Sequence, residues 1–301
     1  MTKPPTLPKG RPWSATPETL GGYDACCGSI DESLAMSQEQ IHRLTRLLRR
    51  YTKLAQLRMR KRLSGGECFV DYGWTKLLFS DDGDLQEVFY HQNQRDWYRN
   101  DMAVLADLCA PGDTVVDVGA NLGFVTAMLA SLVGNAGTVI ALEPSPSTYR
   151  KLVKTVAAND LSQVLPLNVG AGEKRATLEL VDVSRESGNR TLVPNAPHAA
   201  ARSERVDVIP LDELPELRDR RVALLKIDTE GFEAQVLRGA QALLTRDKPV
   251  IYVELGGGAS YQPSTQAALD ILGSHGYDTG HVAHSDWSQV GNGTNFVFRA
   301  A

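Results

Sequence analysis

The chain has 301 residues, 42% of them hydrophobic, and a formal net charge of −4, so it is long enough to bury a sizeable core. So small a net charge does not indicate nucleic acid or a membrane surface as the main partner. No apolar run approaches the roughly 20 residues that cross a bilayer, no C-x-x-C pair occurs among the four cysteines, and the N-terminus carries no apolar signal segment. We therefore expect a cytoplasmic protein with no transmembrane segment.

The first 110 residues predict a tail followed by a small cap. Residues 1–36 are rich in Pro, Gly and Thr, which is typical of a flexible tail. Residues 37–63 show helical periodicity with Arg and Lys opposite the apolar stripe, which predicts a solvated surface helix or, alternatively, a site for an acidic partner or membrane. The elements that follow are two strands forming a hairpin and then two helices: Cys68–Tyr72, Lys76–Phe79, Asp84–His91 and Arg95–Cys109. Residues 37–110 therefore predict a helix and an α+β cap.

Residues 111–301 alternate between strand and helix patterns. Seven stretches have strand character: Thr114–Val118, Thr138–Glu143, Val164–Val169, Val222–Asp228, Pro249–Leu255, Tyr277–Val282 and Thr294–Arg299. Four stretches have helical periodicity: Phe124–Val133, Ser147–Asn159, Glu233–Leu244 and Ser264–His275. An antiparallel pair, Ala176–Val181 and Val206–Leu211, interrupts the alternation around a polar loop, Ser184–Arg205. The alternation predicts an α/β domain with a doubly wound, mostly parallel seven-stranded sheet, into which the last strand inserts antiparallel.

The turn after the first of these strands, Asp117-Val118-Gly119-Ala120-Asn121-Leu122-Gly123, has the features of a nucleoside site. Its two glycines let backbone and ligand approach closely, and Glu143 at the next strand end is placed to accept hydrogen bonds from two ribose hydroxyls. Pyrophosphate-bearing dinucleotides favour G-x-G-x-x-G, and Asn121 replaces the second glycine, which disfavours a nicotinamide coenzyme. Asp117 repels phosphate and favours a cationic ligand such as S-adenosylmethionine. A plain strand–turn–helix with a solvated Asp117 is the alternative.

Four segments carry a resemblance to a known family: VVDVGANLGFVT, ALEPSPSTYRKLVKTVAAND, LLKIDTEGFEAQVLRGAQALL and KPVIYVEL. Over roughly Cys109 to Leu255 the chain resembles the FkbM-type family of S-adenosylmethionine-dependent methyltransferases. The resemblance implies a Rossmann-like class I methyltransferase fold behind a small cap, with S-adenosylmethionine as cofactor. It also implies O-methylation, commonly of sugar or natural-product hydroxyls.

Nine residues are the cofactor-binding candidates: Asp117, Gly119, Ala120, Asn121, Gly123, Glu143, Pro144, Asn168 and Val169. Asn168 stands where many related enzymes carry an acid near the adenine. Which residue holds the exocyclic amine of the adenine therefore stays open.

The catalytic candidates surround the end of the Val222–Asp228 strand. Asp228 is the candidate base or hydrogen-bond acceptor for a substrate hydroxyl, with Glu230 beside it. Lys226, inside the strand, needs a carboxylate partner, and we expect Asp228 or Glu254. Asp228, Glu230 and Glu254 can also bind Mg²⁺, although nothing in their spacing requires a metal. For Glu230, capping of the following helix is an equally good interpretation.

The sequence thus predicts an O-methyltransferase that transfers a methyl group from S-adenosylmethionine to a small-molecule or glycan hydroxyl, with a sugar, glycoside or polyketide-type acceptor favoured. An RNA methyltransferase is one alternative, suggested by the basic residues within 43–62; a non-catalytic cofactor-binding module is the other. The turn at residues 228–231 lacks the Asn/Asp-Pro-Pro-aromatic sequence of base-amine methyltransferases, so no nucleic-acid partner is expected. His281 and His284 are a less favoured source of a base. Both a monomer and a homo-oligomer fit the sequence.

Overall fold

The computed structural model describes residues 45, 52, 55, 56, 59, 62–64, 66–72, 75–79, 95–182, 190–192, 203–256, 258–278, 281–282 and 294–301. The chain divides into two units, Met1–Arg50 and Tyr51–Ala301. Residue 45 is the single described position of the first unit, and it is helical. The predicted tail, most of the predicted basic helix and the predicted helix Asp84–His91 lie outside the described residues.

The second unit is built on a seven-stranded sheet. Its strands are β3 (Thr114–Val118), β4 (Thr138–Leu142), β5 (Val164–Leu167), β10 (Val222–Ile227), β11 (Val250–Leu255), β12 (His281–Val282) and β13 (Thr294–Phe298). Their order in the sheet is β12-β13-β11-β10-β3-β4-β5. The five strands from β11 to β5 are parallel to one another, and β13 pairs antiparallel with both β11 and β12. This pairing confirms the predicted mostly parallel sheet and the antiparallel insertion of the last strand.

Helices cover both faces of this sheet, as the doubly wound architecture requires. They are α1 (Arg95–Leu108), α2 (Phe124–Val133), α3 (Pro146–Ala158), α4 (Glu233–Arg238), α5 (Gln241–Asp247) and α6 (Gly258–Ser274). One apolar core lies between the sheet and α4, α5 and α6, and the other between the sheet and α1, α2 and α3. Alternate residues of β3 divide between them: Val116 and Val118 lie in the first core, Val115 in the second. The central strands are buried on both faces, which explains their continuous apolar sequences.

A hairpin precedes the sheet, and α3 holds it. Strands β1 (Cys68–Asp71) and β2 (Lys76–Phe79) pair antiparallel, which confirms the predicted hairpin. The Asn159 side chain accepts from the backbone N–H of Lys76 at 2.7 Å and donates to its carbonyl at 2.8 Å. The Thr155 hydroxyl accepts from the N–H of Leu78 at 3.3 Å. The side chains of Thr155 in α3 and of Asn159, the residue after α3, therefore satisfy part of the edge of β2.

A second sheet, ordered β6-β9-β7-β8, interrupts the strand–helix alternation. Its strands are β6 (Gly170–Ala171), β7 (Ala176–Asp182), β8 (Arg190–Thr191) and β9 (Ser203–Ile209). The antiparallel pairing of β7 with β9 confirms the predicted excursion. The loop predicted over Ser184–Arg205 is wrong in part, because β8 and the start of β9 fall inside it. Two short 3-10 helices, Leu211–Glu213 and Pro215–Leu217, lead back to β10.

Two predicted helix boundaries are wrong. The single helix expected over Glu233–Leu244 is broken into α4 and α5 at Gly239, where a Cβ would lie 1.9 Å from the carbonyl oxygen of Gly172. The second helix starts anew because the Asp212 carboxylate accepts from the N–H groups of its first turn at 2.9 Å. The last helix, α6, starts at Gly258 rather than Ser264 and contains Pro263. Within the described residues, no helix combines the length and apolar character needed to span a membrane.

Candidate active site

The turn after β3 is closed by main-chain hydrogen bonds and contains two glycines with positive φ. Gly119 has φ +82°, and a Cβ there would lie 1.9 Å from the carbonyl oxygen of Asp228. The N–H groups of Gly119 and Ala120 both donate to the carbonyl of Leu142, at 3.1 and 3.0 Å. Gly123 has φ +92° just before α2, and a Cβ there would lie 2.8 Å from the Leu152 side chain. Two glycines are thus required where the turn meets its neighbours.

Glu143 follows β4 and is held by the backbone. One carboxylate oxygen accepts from the N–H of Asn121 at 3.0 Å, and the other accepts from the N–H of Ser145 at 2.9 Å. Asn121 adopts φ +49°, a left-handed conformation that brings its N–H to the carboxylate. The Glu143 residue is 6% exposed. These two hydrogen bonds fix the orientation of the carboxylate.

The other predicted cofactor residues lie on the same rim. The exposed Asn168 donates from its side-chain amide to the carbonyls of Glu143 and Pro144, at 2.9 and 3.0 Å. Val169 is partly buried against the first core, whereas Ala120 is buried in the second. The structure therefore brings these residues together at the carboxyl ends of β3, β4 and β5.

Asp117 has a different direct partner from the predicted one. It is fully buried, accepts from the Thr126 hydroxyl at 2.6 Å, and forms an ion pair with the Lys226 ammonium at 3.0 Å. The expectation that Asp117 faces a cationic ligand is corrected, because Lys226 already balances its charge. The alternative, a solvated Asp117, is wrong as well.

Lys226 lies directly opposite Asp117 in the β3–β10 pairing. Its ammonium donates to the Gly119 carbonyl at 3.0 Å and lies 3.6 Å from the Asp228 carboxylate. Burial alone would lower the pKa of Lys226, but the charges of Asp117, Asp228 and Glu254 raise it above its usual value. The predicted ion pair between Lys226 and Asp228 is confirmed, and it is longer than the ion pair between Lys226 and Asp117.

Carboxyl groups gather at the end of β10. The Asp228 side chain is 37% exposed, and its N–H donates to the Val118 carbonyl at 3.1 Å. Burial, reinforced by the charges of Asp228 and Glu233, raises the pKa of Glu230 from 4.5 to about 8. Burial, followed by the charges of Asp228 and Glu230, raises the pKa of Glu254 well above its usual value. Raised carboxyl pKa values in one cluster are typical of sites that move protons near neutral pH.

The residue that holds the turn at 229–231 is Glu233, which the sequence prediction missed. Its carboxylate is buried and accepts from the N–H of Gly231 at 2.9 Å and from the Thr229 hydroxyl at 3.0 Å. Glu230, expected as the alternative cap, instead has φ +52°, a conformation that costs a non-glycine residue energy. The missed signal was an acid in the first turn after a glycine.

A metal centre is not found among the parts of the chain that the structure describes: no three His, Cys, Asp or Glu residues there are arranged to hold an ion. Asp228, Glu230 and Glu254, the predicted candidates, are described residues and do not form such a group. His281 lies in β12, and His284 lies outside the described residues.

Residues 117–279 match the methyltransferase FkbM domain. The chain belongs to the FkbM methyltransferase domain family. This confirms the resemblance found in the sequence, and the match extends beyond Leu255, where the resemblance was expected to weaken.

Two curated relatives and one solved structure are similar to this family member. Methyltransferase 1 of Beauveria bassiana (strain ARSEF 2860) is 33% identical over 150 residues, which cover 43% of this chain and 59% of the relative. Methyltransferase sdnD of Sordaria araneosa is 29% identical over 192 residues, which cover 53% of this chain and 72% of the relative. The methyltransferase FkbM structure from Methylobacillus flagellatus KT is 18% identical, with a TM-score of 0.44, covering 85% of this chain and 60% of that one.

Proposed function

We propose that this chain is an S-adenosylmethionine-dependent O-methyltransferase that acts on a hydroxyl of a small molecule, a sugar, glycoside or polyketide-type natural product. One observation carries the proposal. The glycine turn, backed by Glu143, and the carboxyl cluster at Asp228 are in contact at one sheet edge, through the close approach of Gly119 to the Asp228 carbonyl. A bound nucleoside and the acceptor's hydroxyl are therefore expected to meet there.

The residues of the turn fit an adenosyl cofactor. Two backbone N–H groups fix the orientation of the Glu143 carboxylate, and a carboxylate held in this way suits two ribose hydroxyls. Gly119 and Gly123 remove the Cβ atoms that would crowd the turn. Asn168 and Pro144 lie beside Glu143 and are the proposed neighbours of the adenine ring of the cofactor. Asp117 does not touch the cofactor in the proposed complex. Its role is to balance the charge of Lys226 in the protein interior.

The chain's own chemistry is orientation and proton removal. S-adenosylmethionine supplies an electrophilic methyl group when bound. Asp228, the partly exposed carboxylate of the cluster, accepts the hydroxyl proton of the acceptor. Glu230, whose pKa is raised to about 8, is placed to exchange that proton near neutral pH. Holding both reactants in near-attack geometry supplies about 7–11 kcal/mol of the barrier reduction.

Charge at the site favours a neutral acceptor over nucleic acid. The side chains of Asp228, Glu230, Glu233 and Glu254 interact electrostatically with one another, and Lys226 is already paired with Asp117. A phosphate backbone needs cations to bind, and the Lys226 ammonium is already paired with Asp117. A polyhydroxylated or polyketide acceptor has no such requirement. This supports a small-molecule acceptor rather than RNA.

The test is a methyl-transfer screen with isotope-labelled S-adenosylmethionine against deoxysugars, glycosides, glycolipids and polyketide alcohols, with an RNA pool as the competing class. We expect label in a hydroxyl acceptor and none in RNA. Label in RNA would replace the proposal with the RNA alternative. Binding of the cofactor without transfer to any acceptor would favour the non-catalytic module.

A further inference from the structure

Lys226 joins the cofactor turn to the acid cluster. The residue is 3% exposed, and its ammonium has partners on three sides. It lies 3.0 Å from the Asp117 carboxylate, 3.0 Å from the Gly119 carbonyl and 3.6 Å from the Asp228 carboxylate. The Gly119 carbonyl accepts a hydrogen bond from the ammonium, whereas Asp117 and Asp228 are its ion-pair partners. Of these three partners, Asp117 lies in the interior, Gly119 in the proposed cofactor turn, and Asp228 in the proposed acceptor site.

Backbone contacts alone do not set the Asp228 side chain. The main chain of Asp228 is tied to β3 by its N–H bond to the Val118 carbonyl and by the tight approach of Gly119. Its carboxylate is 37% exposed, and an exposed carboxylate has several rotamers available. The Lys226 ammonium lies 3.6 Å from it, and the Glu254 side chain also interacts with it.

We propose that Lys226 is a positioning residue with two separable tasks: it fixes the glycine turn through the Gly119 carbonyl, and its charge holds the Asp228 carboxylate in place for the acceptor. The inference rests on the proposed methyltransferase function and deepens it. Asp117 is the counter-ion that makes a buried cation tolerable beside a positively charged cofactor. Lys226 thus acts through other residues rather than on the reactants.

The charge of Lys226 also bears on the rest of the cluster. Burial and the charges of Asp228 and Glu230 raise the pKa of Glu254, and Lys226 opposes that rise. Without the ammonium, the pKa of Glu254 is expected to rise further. The acid limb of the plot of kcat against pH is then expected to move to higher pH. Loss of a residue with a purely structural role would not cause this shift.

Two double variants separate the tasks without leaving a buried charge unpaired. Asp117→Asn/Lys226→Met removes both charges and the donor to Gly119. Asp117→Asn/Lys226→Gln removes both charges but keeps a side-chain N–H donor. The measurements are the S-adenosylmethionine affinity by calorimetry, and kcat against pH with whichever acceptor the screen identifies.

For the Met variant we expect about tenfold weaker cofactor binding, at least tenfold lower kcat, and an acid limb about one pH unit higher. The Gln variant recovers most of the cofactor affinity, while its kcat stays low and its acid limb stays shifted. Wild-type affinity, kcat and acid limb in a folded variant of either kind would overturn the inference. If the Met variant does not fold, the kcat and acid limb of the Gln variant decide.

The matched control is Asp247→Asn, which neutralises a buried carboxyl of an ion pair at the opposite end of β10. It is expected to lower the melting temperature and leave the acid limb and kcat unchanged. A parallel shift in the control would show that the limb reports stability, and this too would overturn the inference. The proposed function fails separately, if the wild-type protein itself neither binds the cofactor nor transfers a methyl group.

Discussion

Buried ionisable groups have different surroundings at the two ends of β10. At its amino end, the Asp247 carboxylate accepts from the N–H of Val222 at 2.9 Å and from two nitrogens of Arg246, both at 2.7 Å. Burial alone would raise the pKa of Asp247, but these hydrogen bonds outweigh it and hold the pKa below its usual value. At its carboxyl end, Lys226 is the cation among several carboxyl groups, and Glu230 and Glu254 have raised pKa values.

The two ends of this strand therefore differ in their expected roles: the amino end contributes to stability, and the carboxyl end carries the proposed chemistry. A carboxylate that receives a bidentate arginine and a backbone N–H is locked in its charged form. A carboxyl group that is buried among like charges exchanges its proton near neutral pH, at a cost to folding. Only the second arrangement suits proton transfer, and it lies at the sheet edge where ligands bind in open α/β sheets.

Neutralising Asp228 has the largest expected effect at the carboxyl end. We expect Asp228→Asn to lower turnover by about 10²–10⁴-fold, because a general base contributes that much, while cofactor affinity stays near wild type. Single-turnover methyl transfer and calorimetry measure the two quantities. The matched control is Asp270→Asn. It changes an exposed residue whose carboxylate accepts a hydrogen bond from Gln266. A near-normal rate in Asp228→Asn would remove this residue from the base role.

Removing Asp247 has the largest expected effect at the amino end. Asp247→Ala takes away the acceptor of the Val222 N–H and the partner of Arg246. The expected loss in the free energy of unfolding is about 1.5–3 kcal/mol, since a hydrogen bond to a charged group is worth that much. Urea unfolding gives the value, and turnover should remain at the wild-type level. If turnover fell with little change in stability, the assignment of the two ends would be reversed.

A further expected effect is a pH dependence of stability caused by Glu230. Its pKa rises from 4.5 to about 8 on folding, so the folded state binds its proton more tightly than the unfolded state. The contribution of this group to the free energy of unfolding is therefore largest below about pH 4.5 and is lost as the pH rises through about 8. Glu230→Gln should reduce this fall in stability, measured by urea unfolding at a series of pH values. The exposed Glu173→Gln is the control, and an unchanged slope in Glu230→Gln would contradict the buried-carboxyl account.

Local sequence patterns predicted the elements well. The β-branched run at Thr114–Val118, the alternation that follows it and the hairpin at Cys68–Phe79 are confirmed because each depends on local periodicity or on a turn. The single helix over Glu233–Leu244 was wrong because its break depends on contact with Gly172, which is distant in the chain. Propensity alone does not show such a contact.

The sheet edge at which the candidate residues lie was predicted, but their contacts with one another were missed. Glu143, Gly119 and Asp228 lie at one sheet edge, as the strand ends indicated. The partnership of Asp117 with Lys226 was missed because it depends on β3 and β10 being neighbours, which the strand order reveals and the sequence does not. The roles assigned to these residues remain predictions.

The most direct test of the central claim is calorimetric titration of S-adenosylmethionine into the wild-type protein and into Glu143→Ala. The account predicts one site per chain and an affinity roughly 10- to 100-fold weaker in the variant, the loss of about 1.5–3 kcal/mol of charged hydrogen bonding. Absence of binding to the wild-type protein, or equal affinity in the two proteins, would contradict it.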